Sequence, residues 1–297
     1  MNRILVLLAA LAFASAAAAQ EGTLKKVKDS GAITIGHRDA SVPFSYYDDK
    51  QQPVGYTMDL CAKVVDAVKR ELKMPNLKVN YQLVTSANRI PLMANGTIDL
   101  ECGSTTNNLA RQEQVWFATT HFVTANRFVA KKTAKANTVQ DLKGKTVVST
   151  AGTTNIKQIT EINAEQKLGM NIVSANGHAE AFQMVETGRA VAFVMDDILL
   201  YSLVAQSRSP GDYAISRDAL SVEPYGIMLR KDDAAFKKVV NGAINAVYKS
   251  GEISKIYEKW FQKPVPPKSI NLNVAMSAQL KKVVANPTDS GDPNAYK

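Results

Sequence analysis

The chain is most constrained by a grammar that recurs along it: a short apolar strand, small residues at its carboxyl end, then a helix. The stretch from Leu100 to Arg111, L-E-C-G-S-T-T-N-N-L-A-R, is its fullest instance. Alternation of this kind builds a parallel sheet with helices packed on it. In open α/β sheets, ligands bind just beyond the carboxyl ends of the strands. Here Gly103 bares backbone, Ser104, Thr105 and Thr106 add hydroxyls, and Arg111 adds a guanidinium. Such a set suits a carboxylate, which arginine clamps bidentately. The same residues would also make an ordinary capped helix with a solvated arginine, so this stretch alone decides nothing.

The rest of the chain repeats the pattern in three blocks. In the first, a short helix from Leu24 to Asp29 ends at Gly31, and the strand Ala32 to Gly36 delivers His37 and Arg38. An aromatic loop, Pro43 to Tyr47, precedes a helix to about Leu72, whose Leu60, Cys61, Val64, Val65, Val68 and Leu72 fall at helical period. The strand Val79 to Val84 ends in Thr85-Ser86, a short helix spans Arg89 to Ala94, and Thr97 to Cys102 is the next strand. The second block has strands at Phe128 to Ala130, Thr146 to Ser149, Asn171 to Val173 and Ala190 to Met195. Its helices start after Ala151-Gly152-Thr153-Thr154, at His178 and at Ile198, and its last strand delivers Asp196. The third block has a strand from Gly226 to Arg230 and helices at Ala234 to Tyr248 and Ile253 to Phe261, stopped by Pro264-Val265-Pro266-Pro267. The tail after about Pro287, rich in Asp, Asn, Pro and Ser, is expected to be mobile.

Composition narrows the function. Of 297 residues, 45% are hydrophobic and 21% charged, as in an ordinary globular protein. Met1 to Ala19 reads as a secretory signal peptide: Arg3, an apolar run from Ile4 to Phe13, and a small-residue site at Ala17-Ala18-Ala19. The mature chain is then exported and begins near Gln20. The net charge of +9 is carried by scattered lysines with no basic-aromatic stripe, so nucleic acid is not an expected partner. Cys61 and Cys102 are the only cysteines. Export permits a disulfide between them, and two buried free thiols remain the alternative. No metal is expected, since no histidine or cysteine pair has ligand spacing. Gly144-Lys145-Thr146 lacks the upstream glycine of a phosphate loop, that position being Val139. No G-x-S-x-G elbow is present either. Polar groups do gather at four strand ends, namely His37-Arg38, Ser86 with Arg89, Ser104 to Arg111, and Asp196.

Several motifs taken together resemble a known family. They are G-H-R-D-A-S-V-P-F-S-Y-Y from Gly36, T-S-A-N-R-I-P-L from Thr85, L-E-C-G-S-T-T-N-N from Leu100 and F-A-T-T from Phe117, followed by D-L-K-G-K-T-V-V from Asp141, A-G-T-T from Ala151, G-R-A-V-A-F-V-M-D-D from Gly188 and Y-G-I-M-L-R-K-D-D from Tyr225. In this order they are similar to the periplasmic amino-acid-binding proteins of ABC importers, the family-3 solute-binding proteins, and among them to the members that take glutamate and aspartate.

The resemblance implies an α/β fold of two lobes that close like a clamshell about two crossing segments, near Phe122 to Ala125 and Ser221 to Tyr225. Residues 20–123 would form the first part of lobe 1, 124–224 lobe 2, and 225–297 the return to lobe 1 with the C-terminal helices and tail. It further implies an α-carboxylate clamp at Arg111 with Thr106 and Thr154, and an ammonium site at Asp196 with the carbonyl of Ser104. Arg38, Ser86, Arg89 and His178 would surround the side-chain carboxylate. The implied partners are L-glutamate or L-aspartate and a membrane ABC permease, with no cofactor, no chemistry and a monomeric state. Two rivals share the fold: a receptor for another polar amino acid, glutamine or asparagine, and a dehydratase-type enzyme, which would need a general acid near a leaving hydroxyl.

Overall fold

A computed structural model describes residues 22–297. The expected signal peptide, Met1–Ala19, lies outside the described residues. In chain order, lobe 1 opens with α1 (Thr23–Ser30), β1 (Ala32–His37), β2 (Ala40–Ser41), β3 (Ser45–Tyr47), β4 (Pro53–Val54) and α2 (Tyr56–Leu72). It continues through β5 (Lys78–Leu83), α3 (Arg89–Ala94), β6 (Leu100–Glu101), α4 (Leu109–Gln112) and β7 (Val115–Phe117). Lobe 2 holds β8 (Phe122–Lys131), β9 (Thr146–Thr150), α5 (Thr154–Glu165), β10 (Asn171–Ala175), α6 (His178–Glu186), β11 (Ala192–Asp196), α7 (Asp197–Gln206), β12 (Tyr213–Ile215) and β13 (Ser221–Tyr225). The chain then adds β14 (Met228–Arg230), α8 (Ala234–Lys249), α9 (Glu252–Phe261) and α10 (Ala278–Ala285) to lobe 1.

Each lobe is built on its own sheet. The lobe-1 order is β5-β1-β6-β14-β7 and the lobe-2 order β10-β9-β11-β8-β12, with β13 paired to β8. In lobe 1, β1 runs parallel to both β5 and β6, with His37 opposite Leu83 and Gly36 opposite Glu101. That register brings the ends carrying Arg38, Ser86 and Ser104 to one edge. In lobe 2, β9 runs parallel to β10 and β11, so Thr150 ends beside Ala175, near the turn that delivers Asp196. The antiparallel pair β8 and β13, with Phe122 opposite Tyr225 and Ser221 opposite Asn126, carries the chain between the lobes.

Most expected elements are present, with bounds shifted by a residue or two. Four differ in kind. The strand expected at Phe128 to Ala130 runs from Phe122 to Lys131, because β11, β12 and β13 all pair with it. The strand expected over Thr97 to Cys102 is confined to Leu100–Glu101. The aromatic loop at Pro43 contains the antiparallel ribbon of β2, β3 and β4. The tail is not free: the Thr120 amide donates to the Thr288 carbonyl, Asn107 Nδ2 donates to the carbonyls of Asp289 and Ser290, and Tyr296 is buried. Backbone hydrogen bonds and one aromatic anchor outweigh a loop-like composition here.

Cys61 and Cys102 form a disulfide, with Cα atoms 6.3 Å apart. It ties α2 to the residue just before Gly103 and so anchors the turn that opens the binding edge. No helix among the described residues is long and apolar enough to cross a membrane.

Candidate functional site

Seven of the nine expected residues line one small cavity between the lobes: Ser86, Arg89, Ser104 and Thr106 from lobe 1, and Thr154, His178 and Asp196 from lobe 2. The space among them is about 210 Å³. The other two residues flank it. Arg38 stands behind Ser86, donating from Nη2 to the Ser86 hydroxyl at 2.8 Å. Arg111 donates from Nη1 to the Thr106 carbonyl at 2.7 Å and from Nη2 to the Gly152 carbonyl of lobe 2 at 3.3 Å. The Asn107-Asn108 pair before it has a structural task. Asn108 caps α4 by accepting from the Arg111 amide, and Asn107 holds the tail.

All three guanidinium groups are withdrawn from water, Arg38 and Arg89 at 2% exposure and Arg111 at 8%. Burial first, and then the neighbouring Arg89 charge, pushes Arg38 down to about 10 and Arg111 to about 9. Burial also lowers Arg89, opposed by the Glu101 charge. All remain cations at neutral pH. Among the described residues, Nε and Nη1 of Arg38, Nε of Arg89, the Ser104 hydroxyl and Nε2 of His178 are buried without a hydrogen-bond partner. A buried donor left unmet costs about 1–3 kcal/mol, more when charged. Three such atoms on the cavity residues Arg89, Ser104 and His178, with two more on Arg38 behind Ser86, therefore describe a surface shaped for an anionic or strongly accepting solute.

Lobe 2 supplies a different chemistry. Asp196 Oδ1 accepts from Asn155 Nδ2 at 2.7 Å, and Oδ2 accepts from the Tyr225 hydroxyl. Burial, with the Glu223 charge second, raises its carboxyl to about 7, against the lowering hydrogen bonds from Tyr225 and Asn155. The His178 ring shares a hydrogen bond between Nδ1 and the Thr150 hydroxyl at 2.8 Å. Burial, then the charges of Arg38 and Arg89, holds it well below its ordinary value, so the ring is neutral. Thr154 is the first residue of α5, with Thr153 as the cap, and its hydroxyl donates to Glu223 Oε2 at 2.9 Å. What Thr154 keeps for a ligand is an unpaired amide at a helix N-terminus, which favours anions.

Sequence reasoning missed Asn155, Tyr225, Glu101 and Glu223. Asn155 follows directly on A-G-T-T and Tyr225 ends a crossing segment, so position carried a signal for both. Glu101 and Glu223 lie inside strands, where an acid reads as solvent-facing, yet they are 0% and 1% exposed. Among the described residues no cluster of His, Cys, Asp or Glu could hold a metal.

Two lobes joined by paired strands, with a polar cavity at the seam, define a clamshell solute receptor. The chain belongs to the bacterial extracellular solute-binding proteins, family 3, whose model matches residues 33–263. It is 56% identical over 269 residues to the L-glutamate/L-aspartate-binding protein of Pseudomonas aeruginosa, covering 90% of this chain and 89% of that one. It is 46% identical over 287 residues to the glutamate/aspartate import solute-binding protein of Salmonella typhimurium, covering 96% and 95%. Among solved structures, a mutant of ArgBP from T. maritima superposes with a TM-score of 0.71 at 28% identity, covering 80% of this chain and 99% of that one. These relatives are solute-binding proteins and not enzymes.

Proposed function

We propose that this protein is a periplasmic receptor that captures L-glutamate and L-aspartate and hands them to an ABC-type permease. The observation that carries the reading is the burial of three guanidinium groups around one cavity, several of their nitrogens without partners, opposite a single ligand-facing carboxylate at Asp196. An acidic amino acid presents two carboxylates and one ammonium, the complement of that set. Arg111, the Thr106 segment and the Thr154 amide take the α-carboxylate, while Asp196 and the Ser104 carbonyl take the ammonium. Arg38, Ser86, Arg89 and neutral His178 take the side-chain carboxylate. A charged hydrogen bond contributes roughly 1.5–3 kcal/mol. An amide in place of the carboxylate would leave buried guanidinium charge under-compensated, which is the source of discrimination.

Export through the Met1–Ala19 leader places the mature monomer in the periplasm. Residues 20–123 and 225–297 form the lobe that meets ligand with its arginines, and 124–224 the lobe that closes on it. Ligand shifts the lobes toward closure by its differential affinity for the closed form.

The test is calorimetric titration of unfolded-and-refolded, ligand-free mature protein with L-glutamate, L-aspartate, L-glutamine and prephenate. One-to-one binding of both acids, with glutamine far weaker, is expected. Silence for both acids, with glutamine bound or prephenate consumed, overturns the assignment.

A further inference from the structure

Glu101 is a carboxylate in an unusual place. It sits on the short strand β6, fully buried, opposite Gly36 of β1 and Met228 of β14. Its Oε2 accepts the Thr105 hydroxyl at 2.6 Å, while Oε1 has no hydrogen-bond partner among the described residues. The turn that follows is shaped around it. A Cβ on Gly103 would lie 2.2 Å from Glu101 Oε1 and 3.1 Å from Arg38 Cγ, so carboxylate and arginine stem meet over a residue with no room for a side chain. Glu101 does not line the cavity, yet its charge acts on both arginines of the side-chain subsite, favouring the charged form of Arg38 and of Arg89. Those two arginines lie close enough that Arg89 disfavours the charge on Arg38.

An acid buried without an ion-pair partner at contact distance is costly unless a field holds it. The field here is that of two adjacent guanidinium groups. Asp39 also favours the charge on Arg38 but is exposed and screened by water, and Asp196 faces the ligand ammonium, so two cations and one buried anion leave the subsite with a single positive charge.

We propose that Glu101 is a specificity-determining residue, a buried counter-charge that sets the Arg38–Arg89 subsite to one net positive charge. One ligand carboxylate balances that charge and a side-chain amide does not. The assignment rests on the glutamate/aspartate reading above and extends it to a residue that does not line the cavity. Its complement is the small residue at Gly103, which lets the carboxylate reach the Arg38 stem.

The test compares the ratio of Kd for L-glutamine to Kd for L-glutamate in refolded full-length mature protein and in three variants, Glu101→Gln, Arg38→Gln and the double. Glutamine at 101 keeps an acceptor oxygen for Thr105, so the first change removes charge and little else. The ratio is expected to rise about tenfold in Glu101→Gln, where the subsite carries two charges, and to fall at least tenfold in Arg38→Gln, where it carries none. In the double variant one charge is restored while the Arg38 hydrogen bonds stay lost, so the ratio recovers at least about threefold from that of Arg38→Gln toward wild type. A purely structural Glu101 predicts no recovery. Equal ratios in wild type and Glu101→Gln, with the double variant indistinguishable from Arg38→Gln, overturn the proposal. Should neither Glu101→Gln nor the double variant fold, Gly103→Ala, whose Cβ displaces the Glu101 carboxylate from Arg38, is measured instead, and an unchanged ratio there overturns the proposal. A wild-type protein that binds neither acid overturns the functional reading itself. A wild-type preference for glutamate that no Glu101 substitution alters sinks only the role of Glu101.

Discussion

The two lobes face the same cavity with opposite kinds of surface. On the lobe-1 side, donors are unmet: Nε and Nη1 of Arg38, Nε of Arg89 and the Ser104 hydroxyl find no partner among the described residues. On the lobe-2 side the groups are largely satisfied within the protein, Asp196 by Asn155 and Tyr225, His178 Nδ1 by Thr150, and the Thr154 hydroxyl by Glu223. Lobe 1 also has its binding turn anchored by the disulfide at Cys102. The contrast separates two tasks. On the proposed reading, an anchored edge with unmet cations suits first capture, because a ligand carboxylate relieves a cost already present there. A pre-networked edge suits closing, because it needs only small adjustments to meet the ligand's remaining groups.

The largest effect that could break this division comes from exchanging a residue on each side. Arg89→Ala removes charged hydrogen bonds and is expected to weaken glutamate and aspartate by at least about a hundredfold, from roughly 1.5–3 kcal/mol for each bond lost. The melting temperature of the ligand-free protein changes little, since a buried cation whose Nε lacks a partner leaves with the side chain. Asn155→Ala in lobe 2 should behave the other way round. Asn155 Nδ2 donates to both Asn126 Oδ1 and Asp196 Oδ1, so its loss lowers ligand-free stability by about 1–3 kcal/mol. Calorimetric titration and thermal melts of both variants check the pair. If Arg89→Ala melts far lower while binding as before, the division of labour is wrong.

Which parts of this were legible in the residues follows from the range of the forces involved. The helix at Arg89–Ala94 matches its expected bounds, because local sequence sets them. The polar strand ends were legible for the same reason, since a parallel unit must deliver them to one edge. Glu101 was not, because its burial depends on Arg38, at the end of β1, meeting it across Gly103. The disulfide stayed open because a 41-residue separation says nothing of distance in space. The tail looked mobile because composition carries no information about the Asn107 amide and the Thr120 hydroxyl that receive it.

A middle-sized effect concerns how the lobes meet. Gly152 adopts φ +74°, and a Cβ there would lie 2.5 Å from Ala87 Cα and 2.6 Å from the Ser86 carbonyl oxygen of the opposite lobe. Backbone cannot rotate away as a side chain can. Gly152→Ala is therefore expected to hold the lobes apart and weaken ligand binding by about ten- to a hundredfold, a penalty near that of overpacking. Gly144→Ala supplies the control: φ is +68° and nothing lies within 4 Å. Both variants carry the same backbone strain, so only the first should lose affinity. Small-angle scattering with saturating glutamate should show incomplete compaction for Gly152→Ala alone. Equal affinities in the two variants would mean that lobe 2 is not closing where the cavity says it does.

The smallest effect reads the lobe-2 edge directly through pH. The Asp196 carboxyl is raised from 3.8 to about 7, by burial first and the Glu223 charge second. Between about pH 4 and 7 the folded, ligand-free protein thus keeps a proton that the unfolded chain has released. This group's contribution to stability is full below about pH 4 and is lost as pH rises through 7. A ligand ammonium reverses the preference, since it pairs with the ionised form. Below pH 7 binding must expel the proton, so affinity falls as pH falls, by up to about tenfold per unit. His178 does not share the window, being held neutral by burial and by Arg38 and Arg89. Titrations at pH 6 in two buffers of different ionisation enthalpy should report close to one proton released per glutamate, and close to none at pH 8. Asp196→Asn should flatten the profile. An affinity already flat between pH 6 and 8 in the wild type would mean that Asp196 is ionised before ligand arrives, and lobe 2 would then meet the ligand with a standing charge, as lobe 1 does.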